Sequence, residues 1–250
     1  MNDVPASAKY KDVCPDTVSR IYAEELIKRK NARDAEKALK TALHQITGAF
    51  MTTDELKRAR KLLDSEDYGA ALFETLKLHA STRERLDHID AFYDELFTPV
   101  VPKSILDLAC GLNPLYLGYR GYAVRGLDIS GGCIQLINDW AQKRGWDVSA
   151  QCRDLLCRPS LPQTDVALLM KLLPVLEQQK KGAAMALLLS IPAPVLIVTF
   201  PLKTLGGRSV GMEKHYSDWF EASASQCFDI ERRDVIFDEL CYVVRRKAGD

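Results

Sequence analysis

Three acidic residues stand at the ends of apolar stretches in the second half of the sequence. Asp107 lies within the run 105–108. Asp128 closes a second run, 17 residues after Gly111, and Asp154 follows a third. A carboxylate in such a position accepts hydrogen bonds from ribose hydroxyls or from an exocyclic amine. Since Gly111 suits a turn where the backbone approaches a ligand closely, these residues predict a nucleoside site. The alternative is that the acids merely cap turns or helices.

A parallel sheet would bring the three acids to one edge. Apolar runs that alternate with helical stretches are typical of a doubly wound α/β fold, whose ligands bind at the carboxyl ends of the strands. The pattern predicts helices over 132–144 and 177–190, and an antiparallel closing pair over 228–232 and 240–246. Parallel strands are predicted over residues 104–108, 122–129, 148–152, 166–170 and 195–200.

The first hundred residues have a different character, because glycines are few and no long β-branched run occurs. Five short helices are predicted there. Pro15 opens the first, an apolar stripe over 35–46 forms the second, and Gly48 ends that stripe. A fourth helix runs near 70–78. Capping boxes predict the starts of the third and fifth, at Thr52 with Glu55 and at Ser81 with Glu84. We therefore predict a helical domain over 1–100 and a second domain over 101–250.

Composition limits the kinds of partner. The 34 basic and 34 acidic residues cancel, so a nucleic acid would have to bind a local basic patch. Residues 9–61 hold 13 basic and eight acidic residues, although a solvated helix surface explains the same run. No apolar stretch is long enough to span a membrane. The seven cysteines show no metal-ligand spacing, so we expect reduced thiols, no metal and a cytoplasmic protein.

The turn Asp-Leu-Ala-Cys-Gly-Leu-Asn at 107–113 resembles that of Rossmann-like methyltransferases that use S-adenosylmethionine (SAM). It lacks the glycines of a GxGxxG loop, and SAM carries no phosphate for such a loop to cradle. The resemblance implies a Rossmann-like SAM methyltransferase sheet, preceded by the helical N-terminal domain. It also implies SAM as cofactor.

A wider resemblance rests on five segments, which are 14–18, 78–86, 107–114, 171–174 and 200–213. Together they resemble the aminoglycoside-resistance 16S ribosomal RNA methyltransferases. That family modifies N7 of guanine 1405 in the decoding region of the 30S subunit. The resemblance covers nearly the whole chain, although 31–40 and 64–70 carry no family signature.

This resemblance implies a role for each cofactor-site residue. Asp128 would hold the SAM ribose, Asp154 with the Leu155 backbone would hold the adenine, and Arg85 would pair with the SAM carboxylate. Gly111 would let the methionine end approach the turn. The full predicted cofactor set is Arg85, Asp107, Ala109, Gly111, Asp128, Ile129, Asp154, Leu155 and Lys171.

The implied chemistry needs no acid–base residue, because guanine N7 carries a lone pair and no proton. The target guanine would be flipped out of its helix to reach the methyl group, and Phe200, Lys203 and Met212 are predicted to position it. Phosphate contacts would anchor the rRNA without reading its sequence. The predicted RNA-binding residues are Lys9, Lys11, Arg20, Lys28, Arg29, Lys30, Arg208 and Lys214.

The predicted partner is 16S rRNA within the 30S subunit, with no DNA or membrane partner and a monomeric enzyme. Two other readings stay open. One is a SAM methyltransferase that acts on another rRNA base or on a small molecule. The other is an RNA-binding module without activity, against which the intact Asp107, Gly111, Asp128 and Asp154 argue.

Overall fold

The computed structural model describes residues 10–47, 51–98, 100–202 and 211–247. Several helices precede the sheet, and a single 3₁₀ turn (Leu86–His88) separates the last two of them. Within the described ranges these helices are α1 (Pro15–Lys28), α2 (Ala32–Ile46), α3 (Thr53–Leu62), α4 (Tyr68–Leu76), α5 (Ala80–Arg83) and α6 (Ile89–Leu96).

The second half alternates strands and helices. The strands are β1 (Ser104–Leu108), β2 (Ala123–Asp128), β3 (Val148–Cys152), β4 (Val166–Met170), β5 (Val195–Pro201), β6 (Phe228–Ile236) and β7 (Glu239–Arg246). The helices are α7 (Asn113–Tyr119), α8 (Gly131–Arg144), α9 (Leu173–Gln179), α10 (Ala183–Ser190) and α11 (Met212–Ala224). The strands form one sheet in the order β3–β2–β1–β4–β5–β7–β6. The first five are parallel, and β7 is antiparallel to both β5 and β6.

The predicted α/β architecture is confirmed, with corrections at particular elements. The predicted bounds of β1, β3 and β4 agree with the structure, whereas β6 extends beyond the predicted end to Ile236. The single helix predicted over 177–190 is wrong. Lys180 takes an extended conformation after α9. Gly182, the residue just before α10, lies in the left-handed region with φ of +80°. This break separates α9 from α10.

One of the two predicted capping boxes is present. The Thr52 hydroxyl accepts from the Glu55 backbone, and the Thr52 backbone donates to the Glu55 carboxylate at 2.7 Å. The box predicted at Ser81 is wrong, because Ser81 lies inside the short α5 and its hydroxyl contacts Nδ1 of His79 at 3.2 Å. Gly48 lies outside the described residues, and α2 ends at Ile46.

Apolar packing divides the helices into groups. Helices α3, α4 and α6 share one buried cluster with α7, α8 and one face of the sheet. Helices α9, α10 and α11 cover the opposite face. Helices α1 and α2 form a smaller cluster of their own. The functional boundary near residue 100 stays a prediction, but in this packing α3–α6 belong with the sheet.

The seven cysteines are free thiols. Among the residues that the structure describes, no helix combines the length and the apolar character that a bilayer crossing requires.

Candidate active site

The turn after β1 has the strained backbone that close ligand approach requires. Ala109 has φ of +56° and Gly111 has φ of +53°. A Cβ atom at Gly111 would lie only 2.5 Å from Cε1 of His79, so a larger residue would collide with this ring. Gly111 thus takes a positive φ that glycine adopts without strain, and its approach to a ligand stays a prediction.

Asp128 holds this turn against the end of β2. One of its carboxylate oxygens accepts from the Gly111 backbone at 2.9 Å, and the other accepts from the Ser130 backbone at 2.8 Å. Burial raises the pKa of Asp128, while the backbone donors of Gly111, Ser130 and Ile129 oppose that rise. The side chain is thus fixed at the edge of the cavity described below.

Asp154 occupies the corresponding place after β3. Its side chain is only 5% exposed and accepts from the Leu156 backbone at 2.8 Å. Nε of Arg20 donates to its other oxygen at 2.9 Å, and the same guanidinium donates to Gln179 at 3.1 Å. Arg20 therefore lines the cavity, where its guanidinium contacts Asp154, Gln179 and, at 3.4 Å, Glu24. Its contact with an RNA phosphate stays a prediction.

A cavity of about 300 Å³ opens between these groups at the carboxyl ends of β1 to β4. Its lining brings together most of the predicted cofactor residues. Those present are Ala109, Gly111, Asp128, Ile129, Asp154, Leu155 and Lys171. Carboxylate acceptors and apolar side chains in one cleft suit the ribose and the base of a nucleoside cofactor. The donor set therefore fits SAM, which offers hydroxyl and amine groups and no phosphate.

Two predicted cofactor residues, Arg85 and Asp107, lie outside the lining of this cavity. Nε of Arg85 donates to Glu239 at 2.5 Å in a buried ion pair, and Glu239 also accepts from the Thr199 hydroxyl at 2.6 Å. Pairing of Arg85 with the SAM carboxylate stays a prediction. In the structure Arg85 pairs with Glu239, because a buried guanidinium requires a compensating charge.

Asp107 is fully buried, and neither carboxylate oxygen has a hydrogen-bond partner among the described residues. The nearby Asn113 directs its amide to the sulfur of Met170 at 3.2 Å. Burial raises the pKa of Asp107 well above its ordinary value, although Arg85 opposes the rise. This carboxyl lies behind the turn rather than in contact with the cavity.

Lys171 borders the cavity from the end of β4. Its backbone takes φ of +55°, which is unusual for a residue with a long side chain. Its ammonium donates to Glu84 at 2.6 Å and lies 3.4 Å from Glu239. Lys171 is therefore both a lining residue and part of the ionic network that holds Arg85.

The residues predicted to position the target base have different environments in the structure. Phe200 is fully buried and stacks on Tyr216 with ring centroids 5.1 Å apart. Since its ring also packs on Phe220 and Tyr242, the prediction that Phe200 holds the base is wrong. Lys203 and Arg208 lie outside the described residues. Met212 begins α11 and is partly exposed, and its role stays a prediction.

Most of the predicted basic surface is exposed. Lys11 and Lys30 are exposed, and Lys28 and Arg29 both pair with Glu25 on α1. Lys214 is exposed and pairs with Asp218. Lys9 lies outside the described residues. The cations thus stand at the surface, and their contact with RNA stays a prediction.

Sequence reasoning missed His79 as part of this cavity. Its ring is 8% exposed, faces the Gly111 turn and lines the cavity beside Ser81. Burial, aided by the positive charges of Arg85 and Arg83, lowers the pKa of His79 to about 4. The ring is therefore neutral at physiological pH. No local sequence pattern predicts the contact of His79 with the Gly111 turn, because the two lie more than 30 positions apart in the sequence.

The sheet order, with β7 inserted antiparallel beside β5, and acidic residues at the ends of β1, β2 and β3 define a Rossmann-like, SAM-dependent methyltransferase. The family model for ribosomal RNA methyltransferases of the FmrO type matches residues 6–243, and the chain belongs to that family. The predicted family resemblance is thereby confirmed.

Curated relatives and solved structures agree with this assignment. A 16S rRNA (guanine(1405)-N(7))-methyltransferase of Serratia marcescens is 43% identical over 249 residues, covering 99% of this chain and 98% of that protein. Its counterpart from Micromonospora echinospora is 36% identical over 258 residues, covering 97% and 94%. The crystal structure of the 16S rRNA methyltransferase RmtF with S-adenosyl-L-homocysteine is 49% identical, with a TM-score of 0.88 and coverage of 97% and 95%. The 16S rRNA methylase RmtB is 40% identical, with a TM-score of 0.87 and coverage of 98% and 95%.

Proposed function

We propose that the protein transfers a methyl group from SAM to N7 of guanine 1405 in 16S rRNA, and that this modification confers aminoglycoside resistance. The observation that carries the proposal is the cavity at Gly111, Asp128 and Asp154, in a chain that is similar over its full length to enzymes named for this reaction. Its substrate is the rRNA of the assembled 30S subunit, and it acts as a monomer in the cytoplasm.

When bound, SAM supplies an electrophilic methyl group on a sulfonium. Asp128 accepts from the ribose hydroxyls, since its carboxylate already stands at the cavity edge. Asp154 has lone pairs left for the adenine amine after accepting from Arg20 and Leu156. His79 would add no positive charge to the cavity that holds the sulfonium, because its pKa of about 4 keeps the ring unprotonated at pH 7.

The reaction itself requires positioning rather than proton transfer. Guanine N7 would attack the methyl carbon with its in-plane lone pair while the methyl–sulfur bond breaks and S-adenosyl-L-homocysteine leaves. No base would have to remove a proton. Alignment of reacting groups is worth up to roughly 7–11 kcal/mol in favourable cases. Positive charge passes from the sulfonium to the guanine, which means that a cation held against N7 would oppose the reaction.

The product explains the resistance. Guanine N7 is an acceptor on the major-groove edge, and methylation removes it. The added methyl group also brings bulk and a positive charge. A polycationic aminoglycoside then loses a contact and meets a like charge at the same place.

The test uses purified protein, labelled SAM and 30S subunits from a drug-sensitive bacterium. Reduction and strand scission, which report N7-methylguanine, map the modified base. We expect one cleavage at guanine 1405 with the wild type and none with Asp128→Ala. Label without this cleavage would replace the acceptor by another rRNA base. Absence of label with confirmed SAM binding would refute the 30S substrate, and a small-molecule acceptor would then be sought.

A further inference from the structure

The cofactor cavity receives part of its wall from the N-terminal helices. The chain just before α1 is attached to the loop that follows Asp128. The Cys14 backbone donates to Ile129 at 2.8 Å, and the Gly131 backbone donates to Asp12 at 2.6 Å. An isolated bridge between Val13 and Ser130 extends this contact. The start of α1 is therefore held at the edge of the site.

Arg20 extends this attachment into the cavity. Its guanidinium is bound to Asp154 after β3 and to Gln179 at the end of α9, and its side chain is only 14% exposed. One side chain of α1 thus joins two separate parts of the cavity wall. Lys28 at the end of α1 and the following Arg29 are exposed and pair with Glu25. Arg20 also lies 3.4 Å from Glu24 of its own helix.

Asp154 depends on this contact. Its buried carboxylate has two partners in the structure, the Leu156 backbone and Arg20. Removing the guanidinium would leave the buried carboxylate with one backbone donor, so the side chain could rotate away from its present position. This change would misplace the acceptor that the proposed function assigns to adenine.

We infer that Arg20 is a positioning residue for the cofactor, which holds Asp154 in place and makes cofactor affinity depend on the docking of α1. The inference rests on the proposed function, because it takes the cavity to be the SAM site. Arg20 acts through Asp154 and Gln179, whereas the exposed cations Lys28 and Arg29 do not contact the cavity.

A consequence concerns the substrate. Helices α1 and α2 have an apolar cluster of their own, so the pair can adjust as a unit at its attachment to the cavity. A ribosomal subunit that binds the exposed face of α1 and stabilises its docking would then tighten cofactor binding. By linkage, the cofactor would tighten subunit binding by the same factor.

The first experiment measures dissociation constants for SAM and S-adenosyl-L-homocysteine by calorimetry on the full chain. We expect Arg20→Gln to weaken both at least tenfold. Arg20→Lys should recover only part of the loss, because an ammonium cannot reproduce the guanidinium fork between Asp154 and Gln179. The control Arg245→Gln removes a guanidinium–carboxylate pair of β7, with Glu231, and should leave both constants unchanged.

A double-mutant cycle separates positioning from general damage. If Arg20 acts through Asp154, the variant carrying both Arg20→Gln and Asp154→Asn binds cofactor no more weakly than Asp154→Asn alone. Additive losses would overturn the inference. So would a constant for Arg20→Gln within twofold of the wild type. Should Arg20→Gln fail to fold, Gln179→Ala gives the milder test, with an expected loss of a fewfold and no loss as the contrary result.

The coupling is measured as the affinity for S-adenosyl-L-homocysteine with and without saturating 30S subunits. We expect the subunits to tighten binding severalfold in the wild type and to have no effect in Arg20→Gln. An equal effect in both proteins, or none in the wild type, would overturn the coupling. Failure of the proposed function looks different, since the wild type itself would then bind no cofactor or leave guanine 1405 unmodified.

Discussion

The helices that precede the sheet form two groups that are buried by different partners. Helices α1 and α2 pack mainly on each other, through a small cluster that includes Val18 and Leu39. Helices α3, α4 and α6 instead bury their apolar faces in the core of the sheet. Helices α1 and α2 therefore form a separate small core, whereas helices α3, α4 and α6 are part of the main core.

Side chains of both groups of helices reach the cofactor cavity. The first group supplies Ile46 and Arg20, a cation bound by Asp154 and Gln179. His79, which follows α4 of the second group, also lines the cavity, and its lowered pKa keeps it neutral. A cation therefore lies beside the Asp154 carboxylate, whereas a neutral ring lies at the Gly111 turn. Two structural units thus line one cavity with side chains of different charge.

The largest effect is expected at Phe92 in the second group. Its ring is fully buried, packs edge-on against Tyr93 at 5.3 Å and lies under the Arg85 guanidinium. Phe92→Ala should lower the free energy of unfolding of the whole protein by about 3–5 kcal/mol. Denaturant unfolding followed by circular dichroism measures this. If only the helices lost stability and the sheet kept it, α3, α4 and α6 would not belong to the main core.

A local effect is expected at Leu39 in the first group. This side chain is fully buried, but only within the α1–α2 cluster. Leu39→Ala should cost about 2–5 kcal/mol, felt as opening of α1 and α2. Hydrogen exchange should accelerate in these helices while amides of β4 and β5 keep their protection. Equal acceleration in the sheet would show that the first group is also part of the main core.

A pH-dependent effect is expected from His79. The unfolded chain binds a proton at this ring as pH falls below 6.5, whereas the folded protein resists until about pH 4. The free energy of unfolding should therefore fall across this window, by up to about 3 kcal/mol from this residue. His79→Asn should flatten the curve between pH 6.5 and 4. The exposed His44 of α2 serves as the control, since His44→Asn should keep the wild-type slope.

The smallest effects are expected at two helix caps, one in each group. Asn31 accepts from the Asp34 backbone at the start of α2, and Thr52 accepts from the Glu55 backbone at the start of α3. Asn31→Ala and Thr52→Ala should each cost about 1 kcal/mol. Thermal unfolding should register the loss at Thr52 in the global transition. The loss at Asn31 should be visible mainly in exchange of the α1–α2 amides.

Features that depend on residues close together in the sequence could be predicted, whereas features that depend on distant residues could not. The Thr52 cap depends on residues three positions apart, and β4 is a continuous apolar run, so their patterns identify them. The Ser81 box had the same local pattern, but its hydroxyl contacts His79 instead. Phe200 fitted a base-binding residue by position, and only the packing of Tyr216, Phe220 and Tyr242 shows that its ring is core.

The class of fold, the glycine turn at Gly111 and the acids Asp128 and Asp154 that line the cavity could be predicted from residue types alone. These features depend on short-range spacing along strands that must be parallel. The partners of Arg20, Arg85 and His79 could not be predicted, because they depend on how the chain folds in space. Their charges are paired or suppressed by groups that lie far away in the sequence, and Coulomb and desolvation energies depend on distance in space rather than on separation along the chain.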